Sequence, residues 1–228
     1  MKITITFQNP KSIVLWGIRM NKKYHLIVFG CQMNISDSER IASVLESMKY
    51  SETSNINEAD LIVVTMCSVR QSAVDRVHFM AHKFKAMQKE NPHLKTILTG
   101  CVLKKDEKIF VKGFDHVDDI RDIKKLSKIL KTNPRHISRD SVDSEQKQNN
   151  YLSITPKYSS KFSANVPIMT GCNNFCSYCV VPYTRGREVS RPVKEIITEI
   201  KKILKTNPPS QSFGEAREIW LLGQNVNS

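Results

Sequence analysis

Apolar and polar positions in this chain fall in blocks, and three of the apolar blocks share one design. His25-Leu26-Ile27-Val28-Phe29 leads to Gly30-Cys31, Leu61-Ile62-Val63-Val64 leads to Cys67, and Thr96-Ile97-Leu98-Thr99 leads to Gly100-Cys101. Short, nearly continuous apolar runs suit strands covered on both faces. The segment after each run is helix-like. Ser36-x-x-Glu39 has the spacing of a capping box, and Ile41, Val44, Leu45 and Met48 lie on one helical face. A second, Lys-rich helix is predicted over Val69–Lys89, ending before Pro92. Strand–helix alternation of this kind predicts an α/β fold with an open parallel sheet, Rossmann- or flavodoxin-like, over residues 20–131. Ligands in such sheets gather beyond the carboxyl ends of the strands, where Cys31, Cys67 and Cys101 fall.

A further helix is predicted over Arg121–Lys131, with Ile123, Leu126, Ile129 and Leu130 on its apolar face. Residues 132–163 are polar and lack periodicity, as a linker would be. The pattern restarts with Val166–Thr170 as a strand, a cysteine-rich loop, and a helix over Pro192–Leu204 whose apolar face is Val193, Ile196, Ile197, Ile200 and Leu204. Glu218–Leu222 is a second strand, so residues 164–228 hold one βαβ unit. Before Met20 the chain has weak β character and no motif. Met20 is the expected start, and residues 1–19 a possible non-native extension.

The loop Gly171-Cys172-Asn173-Asn174-Phe175-Cys176-Ser177-Tyr178-Cys179 carries the strongest chemical signal. Its spacing is C-x3-C-x2-C. Three soft thiolates can hold three irons of a cubane and leave the fourth open to chelate a small molecule. Zinc is the alternative for such a loop, but no histidine follows His136 to close a local Cys3His site. Buried structural cysteines are the other alternative, and for Cys31, Cys67 and Cys101 packing as small hydrophobes also stands beside a second cluster site.

Composition narrows the setting. Six cysteines and no signal peptide argue against a disulfide scaffold and for a cytoplasmic protein. No apolar run is long enough to suggest a membrane span. Lys and Arg number 35 against 22 Asp and Glu, a formal charge of +13, which suits a polyanionic partner. Lys83, Lys85, Lys89, Lys104, Lys105, Lys108, Lys112, Lys124, Lys125, Lys128 and Lys131 read as solvated helix faces, whereas Arg185 and Arg187 lie beside the cysteine loop and are expected to contact RNA phosphate or cofactor.

The cysteine loop and its continuation through Val180-Val181-Pro182-Tyr183-Thr184-Arg185-Gly186-Arg187-Glu188 resemble the methylthiotransferases among the radical S-adenosylmethionine (SAM) enzymes. Gly30-Cys31-Gln32-Met33-Asn34 with Asp37-Ser38-Glu39, and Leu222-Gly223-Gln224-Asn225-Val226-Asn227-Ser228, are similar to the tRNA adenosine branch of that family. The chain departs from the family at Thr65-Met66 before the second cysteine and at Val102–Lys105 after the third.

The resemblance implies two 4Fe-4S clusters, a SAM-binding one on Cys172, Cys176 and Cys179 and an auxiliary one on Cys31, Cys67 and Cys101. Tyr178, Arg185, Arg187, Gln224 and Asn225 are the implied cofactor-binding residues. SAM would serve as methyl donor and radical source, and a 2-methylthio group would be added to N6-isopentenyladenosine next to the anticodon of tRNA. A low-potential electron donor is implied as partner, and a monomer is expected. Ser228 falls early in a partial TIM barrel, which needs roughly 200 residues or more. The rest of that barrel and a C-terminal RNA-binding TRAM domain are expected to be absent, and activity of the chain alone is open. The alternatives are a related enzyme acting on threonylcarbamoyladenosine tRNA or a ribosomal-protein aspartate, and a non-catalytic iron–sulfur or zinc-binding fragment.

Overall fold

Every residue of the strand Leu61–Cys67 is buried, so both of its faces need a cover, and the chain supplies one from each side. The computed structural model describes residues 22–130, 149–160, 162–206 and 218–226. In chain order the first elements are β1 (Lys22–Phe29), α1 (Gln32–Ser47), β2 (Tyr50–Glu52), β3 (Leu61–Cys67), α2 (Gln71–Glu90), β4 (Lys95–Cys101), α3 (Lys104–Phe110) and β5 (His116–Val117). Their strands form one parallel sheet in the order β2-β1-β3-β4-β5. This is the expected open α/β sheet, with a flavodoxin-like strand order.

Successive residues of a strand point to opposite faces, and the core divides accordingly. Leu61, Val63 and Ile97 join Ile41, Ala42 and Leu45 of α1. Ile62, Val64, Met66 and Leu98 join Val77, Ala81 and Phe84 of α2 on the other side. Phe84, Phe110 and Phe114 meet edge to face, with centroids 5.6 and 6.2 Å apart. β2 and β5, only three and two residues long, have no apolar run of their own and leave no trace in the periodicity.

Several expected boundaries move. Helix α1 begins a turn before Ser36, with Cys31 as its N-cap. Asn34 Oδ1 accepts the Cys31 backbone N–H at 3.3 Å, so Cys31 and Asn34 take the reciprocal i, i+3 positions assigned to Ser36 and Glu39. Those two residues instead lie buried inside the helix. The helix expected over Arg121–Lys131 is a 3-10 segment, Ile120–Lys125, running into a short α-helix, Leu126–Ile129. Ile123, Leu126 and Ile129 recur every three residues, which suits three residues per turn. Within the expected linker, residues 149–160 pack against the sheet domain: Tyr151, Leu152 and Ile154 are part of the α1-side core. Residues 1–21 and 131–148 lie outside the described residues, so the readings of Met20 and of residues 132–148 as linker do too.

The second part opens with β6 (Ser163–Pro167), which pairs in parallel with β9 (Glu218–Leu222) through the helix Val193–Thr206. This is the expected βαβ unit; a barrel is not seen among the described residues. The expected strand Val166–Thr170 is broken at Ile168. Met169–Thr170 forms β7 and pairs antiparallel with β8 (Val189–Ser190), closing the cysteine loop at its base. Only part of the expected helix face is covered: Ile196, Ile200 and Ile203 pack on Ala164 and Val166, while Val193, Ile197 and Leu204 are exposed. No helix among the described residues is long and apolar enough to cross a membrane.

The packing makes two substitutions informative. Leu45 is fully buried, so Leu45→Ala should cost about 2–5 kcal/mol in chemical denaturation. Gly171 has φ +81, and a Cβ there would stand 2.0 Å from the Arg187 carbonyl oxygen. Gly171→Ala should therefore destabilise the chain by roughly 1–3 kcal/mol, seen as a lower denaturation midpoint.

Candidate metal centre

Three cysteines stand side by side at one edge of the sheet because three neighbouring parallel strands each end on one. Phe29 of β1 is paired with Met66 of β3, and Cys67 with Cys101 of β4, so Cys31 follows β1 at the level where β3 and β4 end. Strand order reverses between β1 and β3, the crevice where open α/β sheets receive ligands. Close packing here depends on Gly100, whose φ is +105 and whose added Cβ would lie 2.5 Å from the Met66 carbonyl oxygen. Asn34 braces the same edge, donating from Nδ2 to the Met66 carbonyl at 3.2 Å. The Cys31 thiol donates to Asn34 Oδ1 at 3.6 Å.

Cys67 and Cys101 act as a pair. A hydrogen bond from Cys101 pulls Cys67 down to about 6 against the effect of burial, helped by the backbone N–H groups of Val69 and Arg70 and by the Arg70 charge. The same hydrogen bond, with burial, holds the Cys101 thiol well up. Cys67 is thus the thiolate of the pair and Cys101 its donor.

The second trio sits on the loop between β7 and β8. Cys172 is buried, Cys179 half-buried and Cys176 exposed. The Asn174 N–H donates to Cys172 Sγ at 3.5 Å, and the Cys179 N–H to the Cys176 carbonyl at 2.9 Å. Phe175 is held at φ 47, edge-on to Tyr183 at 6.0 Å and beneath the Arg187 guanidinium at 4.3 Å. Tyr178 is 88% exposed and covers nothing on the protein itself. Beyond β9, Asn225 Nδ2 donates to Glu188 Oε2 at 3.3 Å, which brings the Gln224-Asn225 turn to the end of the cysteine loop.

Arg185 is where the expectation gives way. Placed with Arg187 as a contact for phosphate or cofactor, it is instead only 2% exposed and turned into the protein. Its Nη1 and Nη2 grip Asp37 of α1 at 3.0 and 2.6 Å, and its Nε donates to Cys101 Sγ at 3.1 Å. Burial opposes its charge, but Asp37 and Cys101 outweigh that and hold the guanidinium well above its ordinary value. Arg187 remains exposed beside the loop.

Asp37, Asn34 and Tyr151 complete this network and were not among the expected site residues. Tyr151 donates to Asp37 Oδ1 at 2.6 Å. Burial, then the Asp37 charge, push its phenol up, so it stays a donor. Asn34 Nδ2 reaches Asp37 Oδ2 at 3.4 Å. Asn34 and Asp37 stand within the segment that carries the resemblance; Tyr151, a lone aromatic in a polar stretch, gives no signal.

Among the described residues no three His, Cys, Asp or Glu side chains converge as they would on one metal ion. A four-iron cubane does not demand such convergence, since each thiolate binds a different corner of an object several ångströms wide. The donor sets suit it: two trios of thiol side chains, free of disulfides, with no oxygen ligand competing in the spacing.

Residues 23–121 match the family described as Uncharacterized protein family UPF0004. The chain is 35% identical over 212 residues to a tRNA-2-methylthio-N(6)-dimethylallyladenosine synthase of Dictyoglomus thermophilum, an alignment covering 90% of this chain and 46% of that protein. It is 39% identical over 213 residues to the synthase of that name from Caldicellulosiruptor saccharolyticus, covering 91% and 44%. For the one from Clostridium novyi the identity is 38% over 218 residues, covering 91% and 45%. The chain thus spans a little under half the length of these curated relatives. Within that span, it belongs to the family of the tRNA-2-methylthio-N6-dimethylallyladenosine synthases.

Proposed function

We propose that the chain serves in radical SAM methylthiolation of a tRNA adenosine, with residues 20–131 carrying an auxiliary 4Fe-4S cluster and residues 164–228 opening the SAM-binding domain. The observation that carries this reading is the meeting of two cysteine trios, one at the edge of β1, β3 and β4 and one on the β7–β8 loop, joined through Arg185. The names of the relatives supply the substrate: an N6-isopentenylated adenosine of tRNA, to be methylthiolated at C2. Such clusters, when bound, supply the electron for SAM cleavage and a site for the transferred sulfur.

The chain's own residues have distinct tasks in this reading. Cys172, Cys176 and Cys179 would hold the SAM-binding cluster on a loop pinched shut by β7 and β8, and Cys31, Cys67 and Cys101 would hold the auxiliary one. Cys176 is exposed while Cys67 and Cys101 are buried, so a molecule arriving from solvent meets the loop first. Phe175 and Tyr183 shield the loop from water. Tyr178 and Arg187, both exposed, offer a ring and a cation to an arriving nucleotide, and Gln224 and Asn225 border the same loop. The surplus of 35 Lys and Arg over 22 Asp and Glu favours tRNA over a neutral protein substrate. A cytoplasmic setting and a low-potential electron donor belong to the same proposal.

Anaerobic reconstitution with iron and sulfide should give about eight irons per chain, as two four-iron clusters require. Replacing Cys172, Cys176 and Cys179 by Ala should halve that count. A colourless, zinc-loaded protein would refute the reading. Nucleoside mass spectrometry of tRNA from cells lacking the gene should show loss of 2-methylthioadenosine derivatives; an unchanged profile would reject the substrate.

A further inference from the structure

The proposed function gives Cys101 a ligand's role and leaves Arg185, Asp37 and Tyr151 without one. Yet these three form the most completely buried polar cluster between the two parts of the chain. Arg185, Asp37 and Tyr151 are 2%, 0% and 1% exposed. They come from three separate segments: Arg185 lies 148 residues from Asp37 and 84 from Cys101, and Tyr151 lies 114 from Asp37. A buried ion pair is a poor device for stability alone, because desolvation consumes most of its Coulomb energy. Here it does something an apolar pair could not. Asp37 takes both terminal nitrogens of the guanidinium, a two-point grip that fixes the plane of the group and leaves Nε with one direction to point. That direction is Cys101 Sγ, at 3.1 Å. Tyr151 and Asn34 hold Asp37 in turn, so the aim of Nε is set by groups that are themselves held.

We propose that Arg185 is a positioning residue for the auxiliary centre: its Nε–H remains on the Cys101 sulfur when a cluster is bound, stabilising the reduced state of that cluster and setting it against the loop that bears Cys172, Cys176 and Cys179. The inference rests on the proposed function, since it takes Cys101 as a cluster ligand. Its physical basis is electrostatic. One-electron reduction adds negative charge that spreads onto the cluster's sulfurs, and a donor N–H aimed at one of them in a dry site favours the more negative state. Arg185 follows Cys179 by six positions in the chain, so the residue that tunes one centre is tethered to the loop of the other. Asp37 acts with opposite sign, as a fixed carboxylate whose charge Arg185 offsets.

The test uses the full chain with Cys172, Cys176 and Cys179 replaced by Ala, reconstituted anaerobically so that only the auxiliary centre remains, and titrated with dithionite, which donates one electron per cluster. Arg185→Lys keeps the positive charge and loses the two-point grip and the aimed Nε–H; its midpoint potential should fall relative to the parent, with an altered reduced-state EPR spectrum. Asp37→Asn keeps the fold's hydrogen bonds nearly intact and removes the opposing charge; its potential should rise. If Arg185→Lys does not fold, as judged by circular dichroism, the sign of the Asp37→Asn shift decides. Potentials and spectra unmoved in iron-loaded variants would overturn the positioning role and leave the proposed function standing. A parent chain that takes up no iron would overturn both.

Discussion

The guanidinium of Arg185 has no water to turn to, and the arrangement of the candidate centre depends on how that problem is solved. A charge this deeply buried must find an opposite charge and fill its donors. Asp37 provides the charge, and the Cys101 sulfur takes the remaining N–H. Because Asp37 sits in the second turn of α1 and Cys101 at the end of β4, satisfying Arg185 docks the β7–β8 loop onto the carboxyl edge of the sheet. Leaving any one of the three out strands a buried polar group, so the contact is met as a unit or not at all.

The sheet makes that docking possible by being regular. Parallel strands in register deliver Cys67 and Cys101 opposite each other, and the turn into α1 delivers Cys31 at the same level. The glycines beside them serve closeness: Gly100 lets the β4 backbone reach Met66 without a Cβ between. Asn34 then caps the helix and braces the β3 end at once, through Cys31 and the Met66 carbonyl. Structural and chemical duties fall on the same few side chains, which is why α1 is buried on its polar as well as its apolar positions.

The two halves differ in how completely they are enclosed. In the sheet domain both core layers are covered, one by α1 with Tyr151, Leu152 and Ile154, the other by α2 and the phenylalanine cluster. In the second part a single helix covers one side of β6 and β9, and Trp220 and Leu221 stay 44% and 54% exposed. The chain spans under half the length of its relatives, and its catalytic competence is accordingly a proposal about the family's chemistry, not a property of these residues alone.

The features legible in the sequence were those that depend on local spacing. Apolar runs ending in cysteine gave the parallel strands and the edge that carries Cys31, Cys67 and Cys101. The C-x3-C-x2-C spacing marked the second trio, and the stretch from Pro192 to Leu222 marked a βαβ unit, all because strands, helices and ligand loops leave short-range periodicities. The tertiary structure alone decided the fate of residues whose partners are far along the chain. Arg185 and Arg187 look alike in sequence, yet one is sealed against Asp37 and the other lies open over Phe175. Tyr151, in a stretch that reads as polar linker, becomes core because its hydroxyl finds Asp37. No spacing rule relates positions 37, 101, 151 and 185; only the three-dimensional requirement that every buried charge and donor be answered brings them together.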